Sequence, residues 1–298
     1  MLCVAMIAGC GEPPRGPFFG DEKFLRFGVQ PGQEADEVRR VLEQNGQRLA
    51  LRLEGKHFIA MGFSERSGAP GSVRVITLRG IVVSLDAAEA NALSQGVAYR
   101  LLPAPGGLDH DADADGFEEV FVETIDGRAL EGCISVYRIR DVGFVDSVGM
   151  QADALGMPLC ASDLRDVDQD GRAELVATLR LESGEEPASI ELPLWAEDHK
   201  FVSAPRDGRA TRYLEVEAGI RRASLAAARR DADVGEAYRL GLELAAIARL
   251  SGADADTQIG LLQDAVAGLG PPDDLARRLA RARERIRRGW LVASPADR

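Results

Sequence analysis

Two short stretches of this sequence carry acidic residues at alternate positions. Asp111-Ala112-Asp113-Ala114-Asp115-Gly116-Phe117-Glu118-Glu119 and Asp166-Val167-Asp168-Gln169-Asp170-Gly171-Arg172-Ala173-Glu174 share carboxylates at positions 1, 3, 5 and 9 and glycine at position 6. Alternate carboxylates on a tightly wound loop turn toward one centre, and glycine permits the reversal that follows them. Held that close, four carboxylates repel one another unless a cation lies between them. A loose shell of oxygen donors suits Ca2+, whereas Mg2+ demands a strict octahedron. The expected ligands are the side chains of Asp111, Asp113, Asp115 and Glu119 in one site, and of Asp166, Asp168, Asp170 and Glu174 in the other. The backbone carbonyls of Phe117 and Arg172 are the expected seventh-position donors. The competing reading is a solvated Asp-Gly turn that binds no metal; two copies at equivalent places weigh against it.

An EF-hand needs a bidentate Glu at position 12 and a helix on each side. Position 12 is here Val122 or Ala177, each inside a β-patterned run. The loops instead resemble those of FG-GAP and VCBS repeats, in which Asp-x-Asp/Asn-x-Asp-Gly-x-x-Asp precedes an apolar strand. Glu119 and Glu174 stand where that pattern has its final Asp. The resemblance covers roughly residues 109–204 and implies calcium-bearing antiparallel β units.

The elements around the loops repeat as well. Gly116 to Thr124 matches Gly171 to Leu179, Ile134-Ser135-Val136-Tyr137-Arg138-Ile139 matches Ile190-Glu191-Leu192-Pro193-Leu194-Trp195, and Phe144-Val145 matches Phe201-Val202. A steady offset through all these landmarks predicts a repeated loop-strand-turn-strand-strand unit. Pro193 places its strand at a sheet edge. Upstream, Phe24 to Val29 reads as a strand, Gln33 to Gln44 as a helix, Leu49 to Phe63 and Val73 to Leu85 as two longer strands, and Asp86 to Leu93 as a short helix. Downstream, Tyr213–Arg230, Val234–Leu250, Asp256–Leu269 and Asp273–Arg288 read as helices. The expected fold class is α+β: a leader and tether over 1–22, a small α/β unit over 23–98, two antiparallel β repeats with calcium loops over 99–205, and a C-terminal helical bundle over 206–298.

The chain has 298 residues and a formal net charge of -12. Between Tyr99 and Pro205 stand 23 acidic and 8 basic residues, so the acidity is concentrated around the loops. That excludes nucleic acid as a partner, which needs a basic face. The N-terminal Ile7-Ala8-Gly9-Cys10 resembles a bacterial lipobox, which implies lipidation of Cys10 and, with Gly11 following, the outer membrane. No basic residue precedes the apolar run, as a signal peptide would normally have. With Cys3 and Cys10 accounted for, Cys133 and Cys160 are left to form a disulfide or to remain two separate buried thiols. His57, His110 and His199 have no zinc-type spacing, and neither a nucleophile elbow nor a phosphate-cradling loop occurs. The expectation is a non-catalytic cell-envelope lipoprotein, bound to the membrane through its lipid and serving as a structural or protein-binding module. The alternative is an exported hydrolase or hydrolase accessory with structural calcium.

Overall fold

A computed structural model describes residues 31–77, 79–85, 97–104, 111–112, 115–126, 132–140, 144–151, 160–182, 188–270 and 273–289. The leader with Cys10, the strand expected at Phe24–Val29, the helix expected at Asp86–Leu93, and Asp113 lie outside the described residues. The fold is mixed α and β, with antiparallel pairing and a helical C-terminal region. The elements up to the first loop are α1 (Pro31–Gln44), β1 (Arg48–Glu54), β2 (Phe58–Ser64), β3 (Pro70–Thr77), β4 (Gly80–Leu85) and β5 (Val97–Leu102). Then come β6 (Glu118–Asp126), β7 (Cys133–Arg140), β8 (Phe144–Gln151), β9 (Ala161–Arg165), β10 (Glu174–Arg180), β11 (Ser189–Glu197) and β12 (Lys200–Val202). The chain closes with α2 (Arg209–Arg230), α3 (Val234–Leu250), α4 (Ala255–Val266) and α5 (Asp273–Arg287).

The described chain separates into two compact units. The first takes the residues up to Gln151 together with 160–176 and 195–201, and the second takes 177–194 and everything from Val202 onward. In the first, the strands follow the order β1-β2-β3-β5-β6-β7-β8, with β4 paired to β3 off that path. The two long strands expected from Leu49 and from Val73 are each a hairpin. Gly55-Lys56-His57 interrupts the first, where the Gly55 amide donates to the Phe58 carbonyl at 3.0 Å, and a tight turn before Gly80 interrupts the second. Both faces of β2 are buried, so Phe58 to Phe63 is a continuous apolar run that hides this break from a periodicity reading. Beyond β8 the neighbours follow β12-β11-β10-β9. Pro193 is therefore not on an edge strand, since β11 has β10 on one side and β12 on the other; β12 spans only three residues.

Helix α1 buries Ala35, Val38 and Leu42 against Ile59, Met61, Phe63, Ile76 and Ile81. The alternate residues of the same strands, Phe58, Ala60, Val73 and Val75, pack with Tyr99, Leu101, Val120, Val122, Tyr137 and Ile139. Residues on both sides of position 98 thus share one core. In a flat sheet β2 and β7 would be about 19 Å apart, four strand spacings. A common core requires the sheet to fold over on itself at β3, whose second edge is divided between β5 at Gly71 and β4 from Val73 onward. Glycines make the crease: a Cβ on Gly62 would lie 2.7 Å from the Leu101 Cβ, and one on Gly71 would lie 2.9 Å from the Phe63 carbonyl oxygen.

Glu34, in the first turn of α1, is 6% exposed, and neither carboxylate oxygen has a hydrogen-bond partner among the described residues. Burial pushes its carboxyl up to about 7. A raised folded-state value means that the folded protein prefers the neutral acid. The site is therefore without penalty below the unfolded value near 4.5 and loses stability as pH rises from there through 7. Glu34→Gln is expected to leave the unfolding free energy unchanged at pH 4 and to raise it by about 2 kcal/mol at pH 8. Urea melts of both proteins across that range check this, and a difference independent of pH would refute it.

In the second unit α3 is the central element, with Tyr238, Leu240, Leu242, Leu244 and Ile247 all buried. Asp233 and Asp254 cap α3 and α4 by accepting from the amides of Glu236 at 3.0 Å and Thr257 at 2.8 Å. Glu182 accepts from Arg278 Nε at 3.2 Å and Nη2 at 2.9 Å, and the guanidinium lies 4.7 Å from the centre of the Tyr238 ring. Among the described residues no helix is long and apolar enough to cross a membrane.

Candidate metal centre

Each acidic loop ends at the first residues of a strand, β6 or β10, whose apolar side chains fix the end of the loop in the core. Inside the loops the same four hydrogen bonds recur. The amide at position 2 donates to the position-9 glutamate Oε2: Ala112 to Glu119 at 2.8 Å, Val167 to Glu174 at 2.7 Å. The position-5 amide donates to Oδ1 of position 1, Asp115 to Asp111 at 3.0 Å and Asp170 to Asp166 at 3.1 Å. The position-6 amide donates to Oδ2 of position 1, Gly116 to Asp111 at 2.9 Å and Gly171 to Asp166 at 3.1 Å. The position-7 amide donates to Oδ1 of position 5, Phe117 to Asp115 at 2.8 Å and Arg172 to Asp170 at 2.9 Å. Gly116 and Gly171 take φ values of 87° and 88°, a left-handed turn that a side chain at this position would strain.

The surroundings of the two loops differ. In the second, carboxylate oxygens of Asp166, Asp168 and Glu174 lie within 4.8 Å of one another. The trio is an oxygen-only donor set of the kind that could hold a hard divalent cation. Asp170 lies outside the trio, with its Oδ1 turned to the Arg172 amide. Glu174 is 2% exposed. Burial pushes its carboxyl up to about 7, with repulsion from Asp168, Asp170 and Asp166 adding to the rise and the Val167 amide opposing it. A cation at the trio would reverse that balance.

In the first loop the carboxylates meet basic side chains. Arg138, 5% exposed on β7, donates from Nε to Glu119 Oε1 at 2.9 Å and lies 3.5 Å from Asp115 Oδ2. Glu119 and Arg138 are directly opposed in the β6–β7 register. His199, in the turn between β11 and β12, places Nδ1 2.9 Å from the same Asp115 oxygen. Glu118, at position 8, accepts the Lys56 amide on both oxygens at 2.9 Å, which fastens the loop to the β1–β2 turn. Of the flanking residues, Asp163 and Arg165 pair with each other at 3.5 Å on the surface.

Comparison of the chain with family models and with curated proteins finds no match. The likeness to FG-GAP and VCBS repeats therefore rests on the loops and strands themselves. Sequence reading missed Arg138 and His199 as neighbours of the first loop. Arg138 carries no signal that sets it apart, since Arg140, two residues on in the same strand, is equally basic. His199 carries none, because its approach to Asp115 depends on strands far apart in sequence.

Cys133 opens β7, and Cys160 immediately precedes β9, the strand that leads into the second loop. Their Cα atoms are 5.0 Å apart and their sulfurs are joined in a disulfide across 27 residues. The bridge thus ties the strand that carries Arg138 to the entrance of the second loop.

Proposed function

We propose that this protein is a non-catalytic cell-envelope lipoprotein whose β repeats are stiffened by calcium and serve as a structural or protein-binding module. The observation that carries the reading is the convergence of Asp166, Asp168 and Glu174 on a loop whose backbone amides already hold Asp166 and Glu174 in place. Preorganisation of this kind spares the ion the work of gathering mutually repelling carboxylates. The lipobox-like Ile7-Ala8-Gly9-Cys10 supports anchoring through lipidated Cys10 at the outer membrane, and a disulfide fits an oxidising compartment. In this reading the residues around the loops are scaffold, and the β unit offers its rigidity to a partner.

Calcium at 100 times its dissociation constant is expected to stabilise the second-loop site by about 2.7 kcal/mol. Calorimetric titration of the chelator-treated full chain should give a binding heat, and a thermal melt should move upward with calcium. Asp168→Asn should abolish both effects at this site. Silence in both measurements at millimolar calcium would reduce the loop to an acidic turn and remove the main support for this function.

A further inference from the structure

We infer that helix α2 is a self-association surface: its outward face, centred near Gly219, docks antiparallel on the same face of a second copy of this chain.

Helix α2 packs on α3 and buries Ala210, Leu214, Ala218 and Ala228. By helical periodicity Val216, Ile220 and Ala223 fall on the opposite side. Among the described residues, Val216 at 62% and Ile220 at 54% are the large apolar side chains left exposed, and they stand one turn apart on that one face. Gly219 lies beside them in the middle of the helix. Glycine there costs helix stability relative to alanine, and the chain itself gives no reason for it, since a Cβ on Gly219 would meet nothing within 4 Å. Close approach of a second backbone supplies the reason.

Charge selects the occupant. Glu215 and Arg222 flank the apolar stripe on the same side, two turns apart, both exposed and without an ion-pair partner among the described residues. When two copies of one helix meet antiparallel about a two-fold axis, each flank faces the same flank of the other copy, running the opposite way. With the axis beside Gly219, Glu215 of each copy comes level with Arg222 of the other. The contact then closes with two reciprocal ion pairs and with opposed helix dipoles. A parallel pairing would instead set Glu215 against Ile220 and Arg222 against Ala227. One pair of helices is a small interface, so the dimer forms in the micromolar range and exchanges with monomer.

Sedimentation equilibrium of the full chain across a concentration series tests this, in a Cys3→Ser, Cys10→Ser background that excludes intermolecular disulfides. The unaltered face is expected to give a monomer–dimer equilibrium. Ile220→Arg is expected to leave a monomer, and Val216→Ser, a milder change, to weaken the dimer; circular dichroism verifies the fold of each. Glu215→Arg and Arg222→Glu are each expected to weaken association about tenfold, because either change turns two attractions into two repulsions. The two combined exchange the charges and are expected to restore the original affinity, which only the antiparallel arrangement allows. Gly219→Ala is expected to raise the melting temperature of the helical unit while weakening the dimer. A monomer at every concentration would overturn the inference and leave the face to a different protein. A dimer indifferent to both Ile220→Arg and Val216→Ser would overturn it as well, as would a charge-exchanged variant that associates no better than either single change.

Discussion

Glu243→Ala is expected to lower the unfolding free energy of the helical unit by about 3 kcal/mol, the low end of what removing one partner from a buried ion pair costs. The Glu243 side chain is 3% exposed on α3 and sits between two guanidinium groups. Arg221 on α2 donates from Nε at 3.0 Å, and Arg239, one turn earlier on α3, donates from Nη1. Deleting the carboxylate leaves two partly buried positive charges facing each other across the α2–α3 contact. The loss stays at the low end because each arginine keeps another carboxylate, Glu217 for Arg221 and Glu236 for Arg239. Glu243→Gln keeps the packing and one acceptor, so its cost should be about half as large. Urea unfolding of the full chain followed by helical circular dichroism is the measurement. An alanine variant with an unchanged midpoint would mean that these pairs act as ordinary surface ion pairs.

Breaking the Cys133–Cys160 bridge is the other large effect. Closing a loop of this length removes about 3 kcal/mol of chain entropy from the unfolded state, and the bond joins β7 to β9 within the first unit. Cys133→Ser with Cys160→Ser should therefore unfold at lower urea, with the loss confined to the β signal. Thiol counting on the full, unprocessed chain gives an independent check. Of its 4 cysteines, two should react when the protein is unfolded without reductant and all of them after reduction. Four reactive thiols before reduction would show that the bond does not form in the protein as prepared.

What was legible in the sequence is what depends on near neighbours. The helix ends at Asp233 and Asp254 follow from a capping side chain a few residues from the amide it satisfies. The loops follow from nine consecutive residues, and their hydrogen bonds repeat because their spacing repeats. What was not legible depends on register between distant strands. Arg138 meets Glu119 only because β6 and β7 pair with those two residues opposed. Nothing in the composition of β7 announces it, since Arg140, two residues on, is equally basic. The sequence leaves the two cysteines open between a bond and separate thiols for the same reason: a separation of 27 residues fixes no distance. The edge-strand rule misplaces Pro193 because β12 is a short neighbour: a strand can be internal in the sheet and still have residues beyond the end of its partner.

The crease at β3 bears on how the chain avoids misfolding. Val73 and Val75 face the core shared with β5 to β7, while Ile76 faces the core under α1. Arg74 points away from the first of these and donates from Nη1 to the Leu85 and Val73 carbonyls. A one-residue slip of β3 would exchange its two faces. In an ordinary two-layer sheet that error spoils one core. Here it would drive the Arg74 guanidinium into one apolar cluster, empty the other of its branched side chains, and move Gly71 off the bend where only glycine clears the Phe63 carbonyl. Three independent penalties against a single misregistered state leave β3 with one alignment to settle into.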